Sequence, residues 1–335
     1  MLRRRLARAW GIPDPDAPIP VHGPTLGPHE RPSPGSSLKV VVWNIQFAAG
    51  RERLFFYDGG QAVSVPRSTV LATLGGIGER LRAIDADVVL LQEVDRGSRR
   101  TAFLDEHAWL VEALPSHRWH ASTPYHRVPY VPAPPHEHLG RVDLHLSVFS
   151  KVPLTTGRRH QLPLLRESAV RRWFNLRRAV MDVPLMWGDV PLRLLHTHLS
   201  AFSRGDGTVP RQIAALSHRI ASAEADGHDW LLAGDFNALP PGTDPRGLHD
   251  DDLYGYVSPL GPLYARSTPA VPLTDHARHP TRWATWVPFG GLAPDRAIDH
   301  AFARAGRLSF HDVHVDRRAL GLSDHLPLVF ELRRP

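Results

Sequence analysis

The chain has 335 residues, 42% of them hydrophobic and 22% charged, which excludes wholesale disorder, and no apolar run approaches the roughly 18 residues of a membrane-spanning helix. The absence of cysteine removes disulfides, thiolate metal sites and cysteine nucleophiles together. A net charge of +6 says little about anionic partners, because all of the 40 Lys+Arg except Lys39 and Lys151 are arginine, which is the mark of a coding bias. At the N-terminus, Arg3, Arg4, Arg5 and Arg8 are not followed by the apolar stretch of a secretory signal. The expectation is a cytoplasmic protein, with a basic tail able to lie against a membrane as a short interfacial helix. Residues 11–36 hold eight prolines and no apolar periodicity, and read as a linker or a strap over the surface. The expected organisation is therefore a tail of residues 1–37 and one domain of 38–335.

From Val40 the texture changes to short apolar runs bounded by turn formers: Val40–Trp43, Val88–Leu91, Val148–Phe149, Ala179–Val183, Leu192–Leu195, Trp230–Ala233, Ile298–Phe302 and Leu326–Leu332. Such runs predict strands buried on both faces. Val70, Leu74, Ile77, Leu81 and Ile84 recur at helical spacing behind Pro66, as do Ile213, Leu216 and Ile220. The order strand, helix, strand thus occurs twice, with each separation long enough for a crossover, and predicts an α/β domain of two similar halves sharing one core. The proline- and histidine-rich stretch from His117 to His145 reads as a long loop over the site, and His136-Glu137-His138 within it as a weak candidate for zinc.

Chemistry gathers where these strands end. Val40–Trp43 runs into Asn44, Val88–Leu91 into Gln92 and Glu93, Leu192–Leu195 into His196, Thr197 and His198, and Trp230–Ala233 into Gly234, Asp235, Phe236 and Asn237. Ile298-Asp299-His300 and Ser323-Asp324-His325 complete the set. In α/β sheets the ligand crevice lies outside the carboxyl ends of the strands, so six segments are aimed at one place. Carboxylate and amide oxygens without thiols suit a hard cation, and histidines paired with carboxylates suit proton transfer or charge stabilisation on phosphoryl oxygens. The combination points to metal-assisted hydrolysis of a phosphate ester.

Trp43-Asn44, Gln92-Glu93, Thr197-His198-Leu199, Gly234-Asp235-Phe236-Asn237, Ile298-Asp299-His300 and Ser323-Asp324-His325, six signatures in order over residues 40–330, resemble the endonuclease/exonuclease/phosphatase superfamily. The resemblance implies a deoxyribonuclease I-like α/β/β/α sandwich of two packed sheets flanked by helices, with Mg²⁺ as cofactor and Mn²⁺ as substitute. It implies Glu93, Asn44 and Asp324 as metal ligands. Asp235 would position and deprotonate the attacking water, with Asn237 orienting it and His198 donating to a phosphoryl oxygen. His325, oriented by Asp299, would stabilise charge on phosphorus or itself act as the base.

Branches of the superfamily differ at places where this chain can be read. Abasic-site endonucleases carry an acidic residue where Gln46 stands, and inositol 5-phosphatases do not follow the asparagine with Ala238-Leu239-Pro240. Residues 158–178 hold seven arginines against Glu167 alone, with Trp173 and Phe174 between them, so Arg177 and Arg178 are candidate substrate ligands. Arg211 opens the second helix and is a third. The expected substrate is a phosphodiester in nucleic acid or an anionic phospholipid, handled by a monomer. A small phosphomonoester, or binding without turnover, is the alternative.

Overall fold

The computed structural model describes residues 11–24, 35–188, 190–201, 203 and 205–334; the basic helix considered for the first ten residues lies outside these. Among the described residues the apolar runs become strands β1 (Asp16–Ile19), β2 (Val21–His22), β3 (Ser37–Asn44), β4 (Val88–Asp95), β5 (Trp119–Val131), β6 (Gly140–Ser150) and β7 (Gly157–Gln161). They continue as β8 (Ala179–Trp187), β9 (Val190–His198), β10 (Asp229–Asp235), β11 (Ser267–Pro269), β12 (Asp299–Arg304), β13 (Ser309–Val315) and β14 (Leu328–Arg333). Two seven-stranded mixed sheets result, ordered β1-β7-β8-β9-β10-β12-β11 and β13-β14-β3-β4-β6-β5-β2. They pack face to face through β3, β4, β9 and β10, with helices outside.

Each half is built on the crossover its periodicity predicts. The helix Arg67–Ile84 joins β3 to the parallel β4, and Thr208–Ala225 joins β9 to the parallel β10. The period of two explains why these strands are apolar throughout. On β10, Trp230 and Leu232 pack under Ile213, Leu216 and Ile220 of the helix, while Leu231 and Ala233 join the core between the sheets.

Two expectations are corrected. The proline-rich N-terminal stretch is not confined to the surface: β1 pairs with β7 and β2 with β5, so six residues supply an edge strand to each sheet. Prolines suit this place, since an edge strand leaves amides unused by the ladder. The strap is held by Arg159, which is buried and donates to the carbonyls of Asp14, Pro124 and Arg177 at 2.7–2.9 Å; burial pushes its pKa down to about 10. Second, the stretch 117–145 is a long β-hairpin and not a loop. Pro124 is accommodated at a register shift in β5, and His107, His120 and His145 are bonded to neighbours: His107 to Ser147 and His120, and His145 to Asp143. His136 and His138 turn to the Gln61 carbonyl and the Tyr130 hydroxyl, and no metal-binding group forms there among the described residues.

Gly234 is where the fold brings two backbones closest beneath the site. It stands opposite Thr197 on β9, and a Cβ built on it would fall 1.9 Å from the Thr197 carbonyl oxygen, at a φ of +152°. Gly234→Ala is expected to destabilise the protein by about 3 kcal/mol, read by chemical denaturation, because backbone and not a flexible side chain must yield. A midpoint within error of the parent would contradict that close approach.

Candidate active site

The two parallel pairs present their carboxyl ends at one edge of the sandwich. Asn44 ends β3, Glu93 lies near the end of β4, His198 ends β9 and Asp235 ends β10. Asp299 opens the antiparallel β12 and pairs with Asp235, so it reaches the same edge from the opposite direction. His325 precedes β14 and is fixed through its backbone: its carbonyl accepts from Trp43 Nε1 at 2.9 Å, and its amide donates to Ser323 Oγ at 3.1 Å. Glu93 and Asn237 hold left-handed backbones, with φ of +58° and +47°, a strain concentrated where side chains must be aimed.

Asp235 is the hub. Its Oδ2 lies 3.1 Å from Asn44 Nδ2, 3.1 Å from His198 Nε2 and 3.7 Å from His325 Nε2, and its Oδ1 accepts from the Asn237 amide at 2.9 Å. On the far side of the His325 ring, Nδ1 bonds Asp299 Oδ2 at 2.8 Å. The carboxylate only accepts, so His198 Nε2 carries the proton, Nδ1 is the acceptor, and the Tyr125 hydroxyl 3.2 Å away donates to it.

The electrostatics sort the two histidines. Burial favours a neutral carboxyl at Asp235, yet His198, His325 and the hydrogen bonds outweigh it and hold the group well below the usual carboxylate range. Burial would also strip the proton from His325, but Asp299, Asp235 and Asp324 raise it well above 6.5. His198 moves the other way, lowered by burial and then by Arg178. At neutral pH the site holds an Asp235 carboxylate between an imidazolium and a neutral imidazole.

A second cluster lies beside it. Glu93, Asp58, Asp250 and Asp324 converge on the cleft, and among the described residues no lysine or arginine stands within salt-bridge distance of any of them. Loss of water, then Asp324, Glu93 and Asp250 in turn, push the Asp58 carboxyl up to about 7. The floor continues as two arms. Gln46, Trp286 and Asp324 lead from the centre toward Phe289, and Ala201, Leu253 and Tyr254 lead toward Val257.

The profile of the Endonuclease/Exonuclease/phosphatase family matches residues 41–325. The chain belongs to that family. Family members are generally phosphoester hydrolases that depend on a divalent metal. An endonuclease/exonuclease/phosphatase from Beutenbergia cavernae DSM 12333 shares the fold with a TM-score of 0.59 at 22% identity, covering 89% of this chain and 72% of that one. The catalytic domain of human Nocturnin with bound sulfate anion gives 0.58 at 17% identity, over 95% and 98% of the two chains. TDP2 from D. rerio complexed with single strand DNA product gives 0.53 at 13%, over 89% and 99%. At such identities the likeness is one of fold. A comparison with curated proteins finds no match.

Within this family framework the structure brings Asn44, Glu93, His198, Asp235, Asn237, Asp324 and His325 into one cleft, with Asp299 directly behind His325. Asn44 arrives with its amide nitrogen toward Glu93, at 3.3 Å, while its oxygen accepts from the Gln46 amide; it presents a donor where the sequence reading placed a ligand. Of the three arginines, only Arg178 lines the central cleft. It is 6% exposed, stacks 5.1 Å from the Tyr125 ring, and its Nε and Nη1 reach no acceptor among the described residues. Arg177 turns away to the Arg172 carbonyl. Arg211 is spent on the turn before its helix, donating to the Asp206 carbonyl and to Thr208 Oγ1.

The sequence reading missed Tyr125, Asp58, Asp250, Trp286 and Arg296. Arg296 lies over the Trp286 ring at 4.4 Å and near Tyr254 at 5.1 Å, bound to Asp295. Tyr125 stands between Pro124 and His126 and carried no signal of its own. The others stand in irregular segments that carry no periodicity.

Proposed function

We propose that this chain is a Mg²⁺-dependent phosphodiesterase, with Mn²⁺ as a substitute, that hydrolyses its ester by direct attack of water. The observation that carries the reading is Asp235, a buried carboxylate held ionised at the floor of an open cleft between a protonated and a neutral imidazole. In the reaction, a water oxygen bonds to phosphorus and its proton passes to Asp235 as the opposite P–O bond breaks; the leaving oxygen is protonated from solvent. His325 enters the step already protonated, which gives the base role to Asp235 and leaves His325 to stabilise phosphoryl charge, with Asp299 keeping its proton in place. His198 Nε2 donates to a phosphoryl oxygen. Asn237 Nδ2 is bonded to the Leu199 carbonyl, so its Oδ1 is the atom left to orient the water.

The donor set fits a hard cation. Glu93, Asp58, Asp250 and Asp324 line the cleft with oxygen ligands, beside Asp235, Asp299 and His325, whose ligand atoms lie within 4.8 Å of one another. Glu93 and Asp324 would hold the ion, which when bound would neutralise a phosphoryl oxygen and polarise the bond to be broken. The unpartnered donors of Arg178 supply a further phosphate ligand. The two arms support a diester over a monoester, because they leave room for a group on each ester oxygen.

The test is hydrolysis of bis(p-nitrophenyl) phosphate against p-nitrophenyl phosphate. Diester cleavage is expected, abolished by EDTA and restored by Mg²⁺ or Mn²⁺. Cleavage of the monoester alone would make the protein a phosphatase, and turnover in EDTA would remove the metal from the reading. In the same assay Arg178→Ala is expected to raise KM about tenfold with a smaller effect on kcat, as loss of a charged hydrogen bond to substrate. Unchanged constants would reduce Arg178 to packing on Tyr125.

A further inference from the structure

The large hydrophobic side chains that the described residues expose are unevenly placed. Of nine, five stand around the cleft: Tyr57, Tyr256, Val257, Phe289 and Leu292. The most exposed of all are Leu292 at 91% and Val257 at 87%, and they belong to two different loops at the ends of the two arms. Tyr256, at 73%, flanks the second, and Phe289 lines the first. The loop that carries Phe289 and Leu292 is braced: Arg51 Nη2 donates to the carbonyls of Pro288 and Gly291, both at 2.8 Å, around a turn closed by Gly291 N and the Pro288 carbonyl. Apolar tips at both ends of a polar cleft, one of them on a braced turn, stay exposed among the described residues, and such a distribution marks an interaction face.

Charge identifies the partner. A nucleic acid demands a surplus of arginine or lysine along its track. The loops carrying these tips instead hold Asp244, Asp250, Asp252 and Asp295, and their two arginines are already engaged, Arg246 with Asp244 and Arg296 with Asp295. Two loops that meet their ligand with apolar tips, and whose own arginines are engaged, suit the interface of a phospholipid bilayer, entered by burial of apolar side chains between head groups. We propose that the cleft mouth is a membrane-docking face, and that the diester turned over is the head-group linkage of a phospholipid drawn into the cleft. This rests on the phosphodiesterase reading for the second of its clauses only.

The experiment is co-sedimentation of the full chain with phosphatidylcholine vesicles at 0.1 M and 0.5 M NaCl, beside the double variant Tyr256→Glu/Leu292→Glu, whose exposed positions tolerate the charge. The parent is expected to bind at both salt concentrations, and the variant at least tenfold more weakly, with bis(p-nitrophenyl) phosphate turnover unchanged. The vesicle lipid should be cleaved by the parent and spared by the variant. Equal sedimentation of the two proteins, or no binding by the parent, overturns the docking face. Binding of single-stranded DNA that these substitutions abolish would assign the face to nucleic acid and overturn it equally. Vesicle binding without turnover of any ester would retain the face and defeat the phosphodiesterase reading, so the two failures are distinct.

Discussion

Asp235→Asn is expected to lower diester turnover about 10³-fold while the protein stays folded, since a positioned general base supplies roughly that factor. The asparagine keeps the volume and the contact with the Asn237 amide, but it cannot take a proton from water. It also removes the anion that faces both His198 and His325, so the cost falls on kcat more than on KM. The measurement is steady-state hydrolysis of bis(p-nitrophenyl) phosphate in Mg²⁺, with circular dichroism as the control for folding. Activity within tenfold of the parent would show that the reacting water is deprotonated elsewhere, and the reading of the cleft would fail at its centre.

Asp299→Asn is expected to move the alkaline limb of the kcat/KM profile to lower pH, by about one unit or more. The reasoning follows from the charges. His325 keeps its proton because Asp299, Asp235 and Asp324 outweigh burial; with the first of these neutral, burial gains and the imidazolium is lost earlier. Turnover at neutral pH is expected to fall about 10²-fold, the scale of a misplaced proton carrier. A profile whose alkaline limb stays in place would show that His325 does not need to be protonated. The same shift has a stability consequence with a definite sign. A histidine whose folded pKa is raised stabilises the fold fully below its ordinary value of 6.5 and loses that contribution as pH climbs through the raised value. In Asp299→Asn the parent's loss of stability at alkaline pH should be smaller.

What was legible in the sequence follows from which physical signals a sequence can carry. β3, β4, β9 and β10 announce themselves because strands covered on both faces are apolar almost throughout, with Arg193 the exception on β9, and a polar residue at their ends has few explanations other than a site. Asn44, Glu93, His198 and Asp235 were found in that way, and the six ordered signatures supplied the rest. Arg178 was legible as part of an arginine-rich stretch, but nothing in that stretch separated it from Arg177, which follows from register: adjacent residues leaving a loop into β8 point in opposite directions. Tyr125 was hidden because its role depends on β5 of one sheet lying opposite β9 of the other, a long-range fact. The strap was hidden for a different reason. Its prolines suppress every local strand signal, and its pairing is specified by the sheet edges it meets and by Arg159, far away in the chain.

The two sheet orders carry a relation that extends beyond the site. Read with strand directions, β7-β8-β9-β10-β12-β11 and β13-β14-β3-β4-β6-β5 are the same arrangement: an antiparallel pair, a parallel pair and an antiparallel pair, in matching order. In the first, β8 passes into β9 directly; in the second, the equivalent neighbours β14 and β3 belong to opposite ends of the chain, with Arg333 paired to Ser37. The molecule is therefore one six-strand unit written twice, with the reading frame of one copy cut open between its second and third strands. A rearranged gene that starts at β9, ends at β8 and runs from β14 through the strap into β3 would restore the cut copy and open the other at the same place. Every strand pairing would be kept, and refolding of such a permuted protein would show that the sheets do not require the break to lie between β14 and β3.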